Sequence, residues 1–352
     1  MSQLAIGISL LFSTAIAASA QTFAPVQGSS GAMELVDLLL PAGLTLVPNS
    51  ASLRGDLNQD PITGDVLPGS PTNAIGIFRD FDEIFGPDPV SGVLLTTGDG
   101  ANALPSLDTS SAGPTCSGIA APANTAPNCT PKISKRNDTV GNAALEGLLN
   151  IHPGGTFNAA SLNFKVILDS IFSSAVYEVE YVFASDEYNE FDSTVHDDVF
   201  GIFVNGVNIA IPTNNPSSIV SVANLNGRLT PNEFRSNDPF NETSGAQINP
   251  ANPTAVKFDT EYDGLSVPLT ASYKLSPNVE YEFSFAIADV MDNTVDSGVF
   301  LSNATLQNTT TVPSPFLLMG VATAYGWSRK MRNRMSSGVS VATRPTILKK
   351  TR

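Results

Sequence analysis

A chain of 352 residues with 42% hydrophobic and only 14% charged positions holds enough apolar material for one large or two ordinary globular domains. Its 33 acids against 18 Lys and Arg give a formal net charge of −15, and the charge is unevenly placed. Eight bases and no acid follow from Arg329 onward, so the part before it carries 33 acids against 10 bases, a charge of −23. A surface of that sign repels phosphate backbones, which argues against nucleic acid as a partner; it favours cations and basic surfaces, or, as the alternative, only keeps an exported protein soluble.

Leu4 to Ala18 form an apolar run that ends in Ala18-Ser19-Ala20, ahead of Gln21. A short apolar core before a small-x-small site is the pattern of a secretory signal peptide. Residues 1–20 are therefore expected to be removed, with Ala18 and Ala20 forming the cleavage site. A buried N-terminal helix is the competing reading, because only the terminal amine supplies positive charge ahead of the run. Met33 to Leu40 is predicted to be a short helix, with Ser29 or Ser30 as N-cap and Pro41 as its stop. GLTLVP, AIGIFRD and GVLLTTG read as strands divided by Gly, Pro, Asn and Asp clusters.

Residues 99–138, rich in Ala, Pro, Ser, Thr and Asn, read as a long surface loop. It carries both cysteines, Cys116 and Cys129. In an exported chain the pair is expected to form a disulfide, worth about 3 kcal/mol in the chain-entropy treatment. Two free thiols are the alternative. No His or further Cys lies nearby in sequence, so the pair alone does not make a zinc site.

Asn142 to Asn150 is predicted to be a second short helix. Beyond it the chain reads as strands almost throughout. In AVYEVEYVFA, Tyr177, Val179, Tyr181 and Phe183 share one face while Glu178 and Glu180 share the other. VEYEFSFAIAD repeats the device, with Tyr281, Phe283, Phe285 and Ile287 inward and Glu280 and Glu282 outward. Period-two alternation marks half-buried antiparallel strands. SLNFKVILD, DVFGIFVNG, VNIAIP, SIVSVANLN, AVKFDTEY and PLTASYKL supply further strands. Many short strands without βαβ alternation predict a mainly β fold: a two-sheet antiparallel β-sandwich of jelly-roll type, with short peripheral helices.

Chemistry concentrates in two acidic clusters, each at the end of a predicted strand. Asp186, Glu187, Glu190, Asp192, Asp197 and Asp198 fall in the connection after YVFAS. Asp289, Asp292 and Asp296 follow the later strand. Like charges crowded this way require open solvent, backbone donors or a bound cation. The sandwich is expected to bring both clusters to one end, where Asp186, Glu187, Asp197, Asp198, Asp289, Asp292 and Asp296 would offer oxygens to Ca²⁺, which takes six to eight such ligands. Solvated carboxylates that cap turns are the alternative. His152 and His196 are the only histidines, too few for a His-rich zinc site. Ser185 and Ser297 are not on a nucleophile elbow, and there is no P-loop or dinucleotide fingerprint. Tyr188 and Phe191 are candidates for stacking on a sugar or, alternatively, for packing against the sandwich end.

The block FASDEYNEF…DDVFGIFVNG followed by IADVMDNTVDSGVFL resembles the choice-of-anchor L domain of exported bacterial proteins, with further likeness in MELVDLLLPAGLTLVPNSASLRGD and GVLLTTGDG. The resemblance implies a surface-anchored β domain, here residues 21–306. A polar linker, 307–311, leads into VPSPFLLMGVATAYGWSRKMRNRM. Val312, Pro313 and Pro315, the apolar segment Phe316 to Trp327, and the basic residues Arg329, Lys330, Arg332 and Arg334 resemble a PEP-CTERM sorting signal in its Val-Pro-x-Pro variant. The Pro-Glu-Pro triplet of the common form is absent. This resemblance implies an anchor segment over 312–335 with an apolar helix, handled by exosortase-type machinery and followed by a basic polar tail, 336–352. The apolar segment is shorter than the ~20 residues of a full span, and its basic flank would snorkel on the cytoplasmic side. An amphipathic helix docked on the domain is the alternative.

Together these features predict an exported, non-enzymatic β domain, structural or adhesive, in the cell envelope, on the outer surface or in the extracellular matrix. Its expected partners are the membrane, through the C-terminal segment, and an extracellular polysaccharide or envelope protein. A Ca²⁺-dependent carbohydrate- or protein-binding module is the second reading. A glycan hydrolase using paired carboxylates ranks behind both.

Overall fold

The structure, a computed structural model, describes residues 21–55, 73–81, 84–104, 137, 139–188, 197–213, 215, 218–237, 258, 260, 262–293 and 295–308. Several sequence expectations therefore lie outside the described residues. They are the cleavage site at Ala18 and Ala20, the Cys116–Cys129 pair, Glu190, Phe191, Asp192 and His196, and the C-terminal segment with Val312, Pro313, Pro315, Arg329, Lys330, Arg332 and Arg334.

In chain order the elements are β1 (Thr22–Pro25), α1 (Gly28–Leu39), β2 (Leu44–Leu46), β3 (Ser52–Arg54), β4 (Ile75–Phe81), β5 (Val90–Thr96), a 3-10 turn (Gly100–Ala103) and α2 (Ala143–Leu149). There follow β6 (Thr156–Leu168), β7 (Ala175–Ser185), β8 (Val199–Val204), β9 (Val207–Asn208), β10 (Val220–Ser221) and β11 (Phe234–Ser236). The last four are β12 (Gly264–Ser266), β13 (Leu269–Leu275), β14 (Glu280–Val290) and β15 (Ser297–Asn308).

The strands form two antiparallel sheets. Sheet one runs β1-β4-β5-β15-β7, with β12 and β13 both on the far edge of β7 and β11 outside β12. Sheet two runs β10-β8-β14-β6, with β2 and β3 on the far edge of β6 and β9 on β8. Counting β5, β6, β7, β8, β10, β13, β14 and β15 as one to eight, the sheets read 1-8-3-6 and 2-7-4-5. That is the double Greek-key order of a jelly roll, in agreement with the expectation from strand spacing.

The predicted inward faces are the observed ones. Tyr177, Val179, Tyr181 and Phe183 are buried, as are Tyr281, Phe283, Phe285 and Ile287, and all belong to one core between the sheets. Tyr177 meets Phe283 edge to face at 5.0 Å between ring centroids, and Tyr181 meets Phe200 at 5.5 Å. These aromatic pairs join β7 of one sheet to β14 and β8 of the other. The Tyr177 hydroxyl donates to Leu39 O at 3.1 Å, which pins the end of α1 to the sandwich.

The alternation stops near the C-terminal ends of β7 and β14, where consecutive residues are buried on both faces. Two further apolar clusters explain this. Phe78, Phe81, Val182, Ala184, Tyr262 and Phe300 cover the outer face of sheet one. Leu145 of α2 with Val199, Phe203, Ala286 and Ala288 covers the outer face of sheet two. The sandwich is thus thickest at the end that carries the acids.

Three local expectations need correction. Helix α1 begins at Gly28 rather than near Met33, and neither Ser29 nor Ser30 caps it. Gln27 is the N-cap and makes no side-chain cap bond. Its entry is set by apolar contact, since a Cβ on Gly31 would stand 2.9 Å from Val26 Cβ. VNIAIP contributes only β9, because the Asn208 side chain accepts from Ile202 N and Ala210 N and donates to Ala210 O, substituting for a longer ladder. SIVSVANLN contributes only β10. The chain then coils, with Leu225 N on Ser221 O and the Asn226 amide on Val222 O and Ala223 O. Helix α2 falls where expected, capped by Asn142 Oδ1 accepting from Ala144 N and Leu145 N.

Candidate functional site

Antiparallel pairing fixes the place of the acids. β7 ends at Ser185 opposite Ser297, the first residue of β15, and Gly298 lies opposite Thr96, the last residue of β5. In sheet two, Ala288 near the end of β14 lies opposite Val199, the first residue of β8, and Val290 opposite Thr156. The connection after β7 and the connection after β14 therefore leave from the same end of the sandwich, and the described acids of both clusters lie there.

Most of these acids are not solvated turn residues. Asp186, Glu187, Asp198, Asp289 and Asp296 are buried, and Asp197 and Asp292 are half-buried. Asp198 is the centre of the arrangement. Its Oδ1 accepts from Val290 N at 3.1 Å, and its Oδ2 lies 2.7 Å from Ser297 Oγ. Ser297 Oγ also lies 2.8 Å from Ser185 Oγ, which accepts from Glu187 N at 2.9 Å. The chain Asp198–Ser297–Ser185 thus crosses from sheet two to sheet one through hydroxyls.

Asp289 receives Asn158 Nδ2 on Oδ2 at 2.8 Å. The Thr97 hydroxyl also acts on this carboxyl, yet Oδ1 is left without a hydrogen bond of ordinary geometry among the described residues. Glu187 Oε2 is in the same position, buried and without a partner among the described residues. Asp296 packs so closely on the turn after β5 that a Cβ on Gly98 would fall 1.7 Å from its Oδ2. Asp197 plays a separate part: its Oδ1 accepts from Ala223 N at 2.7 Å, so it caps the turn after β10.

Electrostatics follow from this crowding. Burial pushes the Glu187 carboxyl up to about 10, and Asp198, Asp292 and Asp197 add repulsion while the Asp198 N–H opposes it. Burial raises Asp198 well above the carboxylate range against the pull of Ser297 and Val290 N–H, with Asp292 and Asp296 adding to the rise. Asp289 is raised by burial and then by Asp198, and Asp296 adds to this, while Thr97 and Asn158 pull the other way. Asp197 is raised by burial and held back by Ala223 N–H and the Ser221 hydroxyl. Asp186, Asp296 and Asp99 act together on the buried Tyr262, whose pKa rises through burial first.

Among the described residues, no three His, Cys, Asp or Glu side chains already stand as ligands about one point. The site is a set of buried, mutually repelling carboxyls rather than a finished cage. His152 is exposed, with Nδ1 3.1 Å from Pro153 O. Tyr188 is buried against Phe234 at 4.8 Å and Phe183 at 6.5 Å, so its ring packs the sandwich end and is closed to a sugar. Asn158, Thr97, Gly98 and Asp99 also belong to the site; Thr97, Gly98 and Asp99 lie in the GVLLTTGDG block, which is marked in sequence only by its likeness to the family, and Asn158 carries no signal. Ser185 and Ser297, set aside as nucleophiles, matter instead as the hydroxyl bridge.

The profile of the Choice-of-anchor L domain matches residues 46–307, which span the jelly roll from the end of β2 nearly to the end of β15. The chain belongs to the choice-of-anchor L family. Membership marks it as a domain of exported, cell-surface-associated proteins. No curated protein and no solved structure matches the chain. In this choice-of-anchor L domain both acidic clusters lie within the matched span, as do the hydroxyl bridge and Gly98.

Proposed function

We propose that the protein is a surface-displayed, non-enzymatic module, structural or adhesive, exported by its N-terminal signal and held by residues 312–335. The observation that carries this reading is the family match over nearly the whole jelly roll. The Val312-Pro313-x-Pro315 motif, the apolar stretch and Arg329, Lys330, Arg332 and Arg334 support a sorting tail recognised by exosortase-type machinery. The strong negative charge ahead of Arg329 supports an outward face that takes cations or basic partners.

Intact cells treated with a protease that cannot cross the membrane test the display. The domain should be degraded from outside, and deletion of residues 312–352 should release it into the medium. Protection of the domain in intact cells, with the full chain recovered from the cytoplasm, would overturn the reading.

A second reading is a Ca²⁺-dependent carbohydrate- or protein-binding module. The buried carboxyl set at one sandwich end supports it, because a cation at that end can order the connections after β7 and β14 as a binding rim. Loss of glycan or envelope-protein binding on chelation would separate it from a purely structural role.

A further inference from the structure

Glu187 Oε2 and Asp289 Oδ1 are buried oxygens that packing leaves without a hydrogen-bond partner among the described residues. A buried acceptor left unmade costs the fold its full desolvation, and a buried charge costs more. Both flank Asp198, and the charges acting on them are acids: Asp198, Asp292 and Asp197 on Glu187, and Asp198 and Asp296 on Asp289. No base among the described residues figures in these interactions.

We propose that Glu187 Oε2 and Asp289 Oδ1 are ligands of one Ca²⁺ ion bound against Asp198, and that this ion clamps the two sheets together. The donors are all oxygens, which selects a hard cation. Mg²⁺ holds its waters and demands near-octahedral geometry, whereas Ca²⁺ accepts irregular sets of six to eight oxygens. Glu187, Asp198 and Asp289, once ionised, already exceed the charge of the ion, so Asp292 and Asp296 are not needed as ligands, and Asp197, committed to its turn, stays outside. Since no cage is preformed, the ion draws in Glu187, the longest and most adjustable of the ligands.

The ligands come from two places far apart in the chain, Glu187 and Asp198 from the connection between β7 and β8 and Asp289 from the end of β14. The site therefore does not exist in the unfolded chain, and the binding free energy is folding free energy. This deepens the second reading above and relies on export only for the supply of ion, at the ~0.1–1 mM affinities typical of extracellular Ca²⁺ modules.

The test uses the purified full-length chain, melted in about 10 mM CaCl₂, in MgCl₂ and in EGTA, a Ca²⁺ level about tenfold or more above the expected affinity, with equilibrium dialysis against ⁴⁵Ca²⁺. Ca²⁺ should raise Tm by several degrees over EGTA, Mg²⁺ should not, and one Ca²⁺ per chain should be retained. Glu187→Gln should abolish both responses while leaving Tm in EGTA unchanged or higher, because it removes a buried acid. Asp289→Asn should do the same, and where it fails to fold Glu187→Gln alone decides. Superimposed melting curves with no retained Ca²⁺ would overturn the site. A Glu187→Gln variant that loses the same stability in Ca²⁺ and EGTA would also overturn it, making Glu187 a structural acceptor. Either failure leaves surface display standing, since protease access to intact cells reads that separately.

Discussion

Ser297 Oγ, on the first residue of β15, stands 2.7 Å from Asp198 Oδ2, just before β8. The two residues belong to opposite sheets and are 99 positions apart in the chain. This contact joins the two sheets at the end of the sandwich that holds the acids. Ser297→Ala would leave a buried carboxylate oxygen without its hydroxyl, at a cost of about 1–3 kcal/mol. Urea unfolding should show a lower midpoint at unchanged slope, the mark of lost stability without a changed unfolded state.

The raised carboxyls set a direction for pH. Glu187 titrates near 10 in the folded chain against an ordinary 4.5, so between those values the folded state holds a proton that the unfolded state has released. Stability is then fully present below about pH 4.5 and is lost as pH rises toward 10, by at most about 1.4 kcal/mol per pH unit for one proton. Urea midpoints measured in chelator at pH 5, 7 and 9 should fall in that order, over and above other titrations. Glu187→Gln should flatten the slope.

Gly98 is a steric witness to the position of Asp296. A methyl group there would overlap Asp296 Oδ2 at 1.7 Å, and the neighbour is a carboxylate wedged in the interior rather than a free chain end. Gly98→Ala should therefore destabilise the fold by about 1–3 kcal/mol, the usual cost of overpacking. Differential scanning calorimetry against the unsubstituted chain checks this.

The aromatic contacts between sheets carry ordinary core energetics. Phe283, stacked on Phe164 and edge-on to Tyr177, is buried. Phe283→Ala should cost about 3–5 kcal/mol. Tyr177→Phe removes only the bond to Leu39 O and should cost about 0.5–1.5 kcal/mol. The two midpoints, measured in urea, should differ by that margin.

Much of the architecture is legible in the sequence. Tyr177 to Phe183 and Tyr281 to Ile287 alternate so regularly that their inward faces follow from period two alone, and strands of that kind lead to a sandwich. The meeting of the acidic clusters was legible too, since each follows a long strand. Their burial was not. It depends on the outer layers, where small residues such as Ala184, Ala286 and Ala288 accept Phe78, Tyr262 or Leu145 without any hydropathic mark of their own. The role of Asn158, and that of Gly98 within its GVLLTTGDG block, is not legible because it arises from pairing across the fold. The start of α1 was misplaced because Ser29 and Ser30 look like caps, while contact of Val26 with Gly31 decides the entry.

The carboxyl set around Asp198 is proposed to hold a cation. A crystal structure of the protein grown in Ca²⁺ near pH 7.5, with anomalous data, tests it most directly. The expected result is an anomalous peak within about 2.3–2.6 Å of Glu187 Oε2 and Asp289 Oδ1, with Asp198 in contact. Carboxyls at hydrogen-bonding separation from one another, with water or nothing between Glu187 and Asp289, would contradict it.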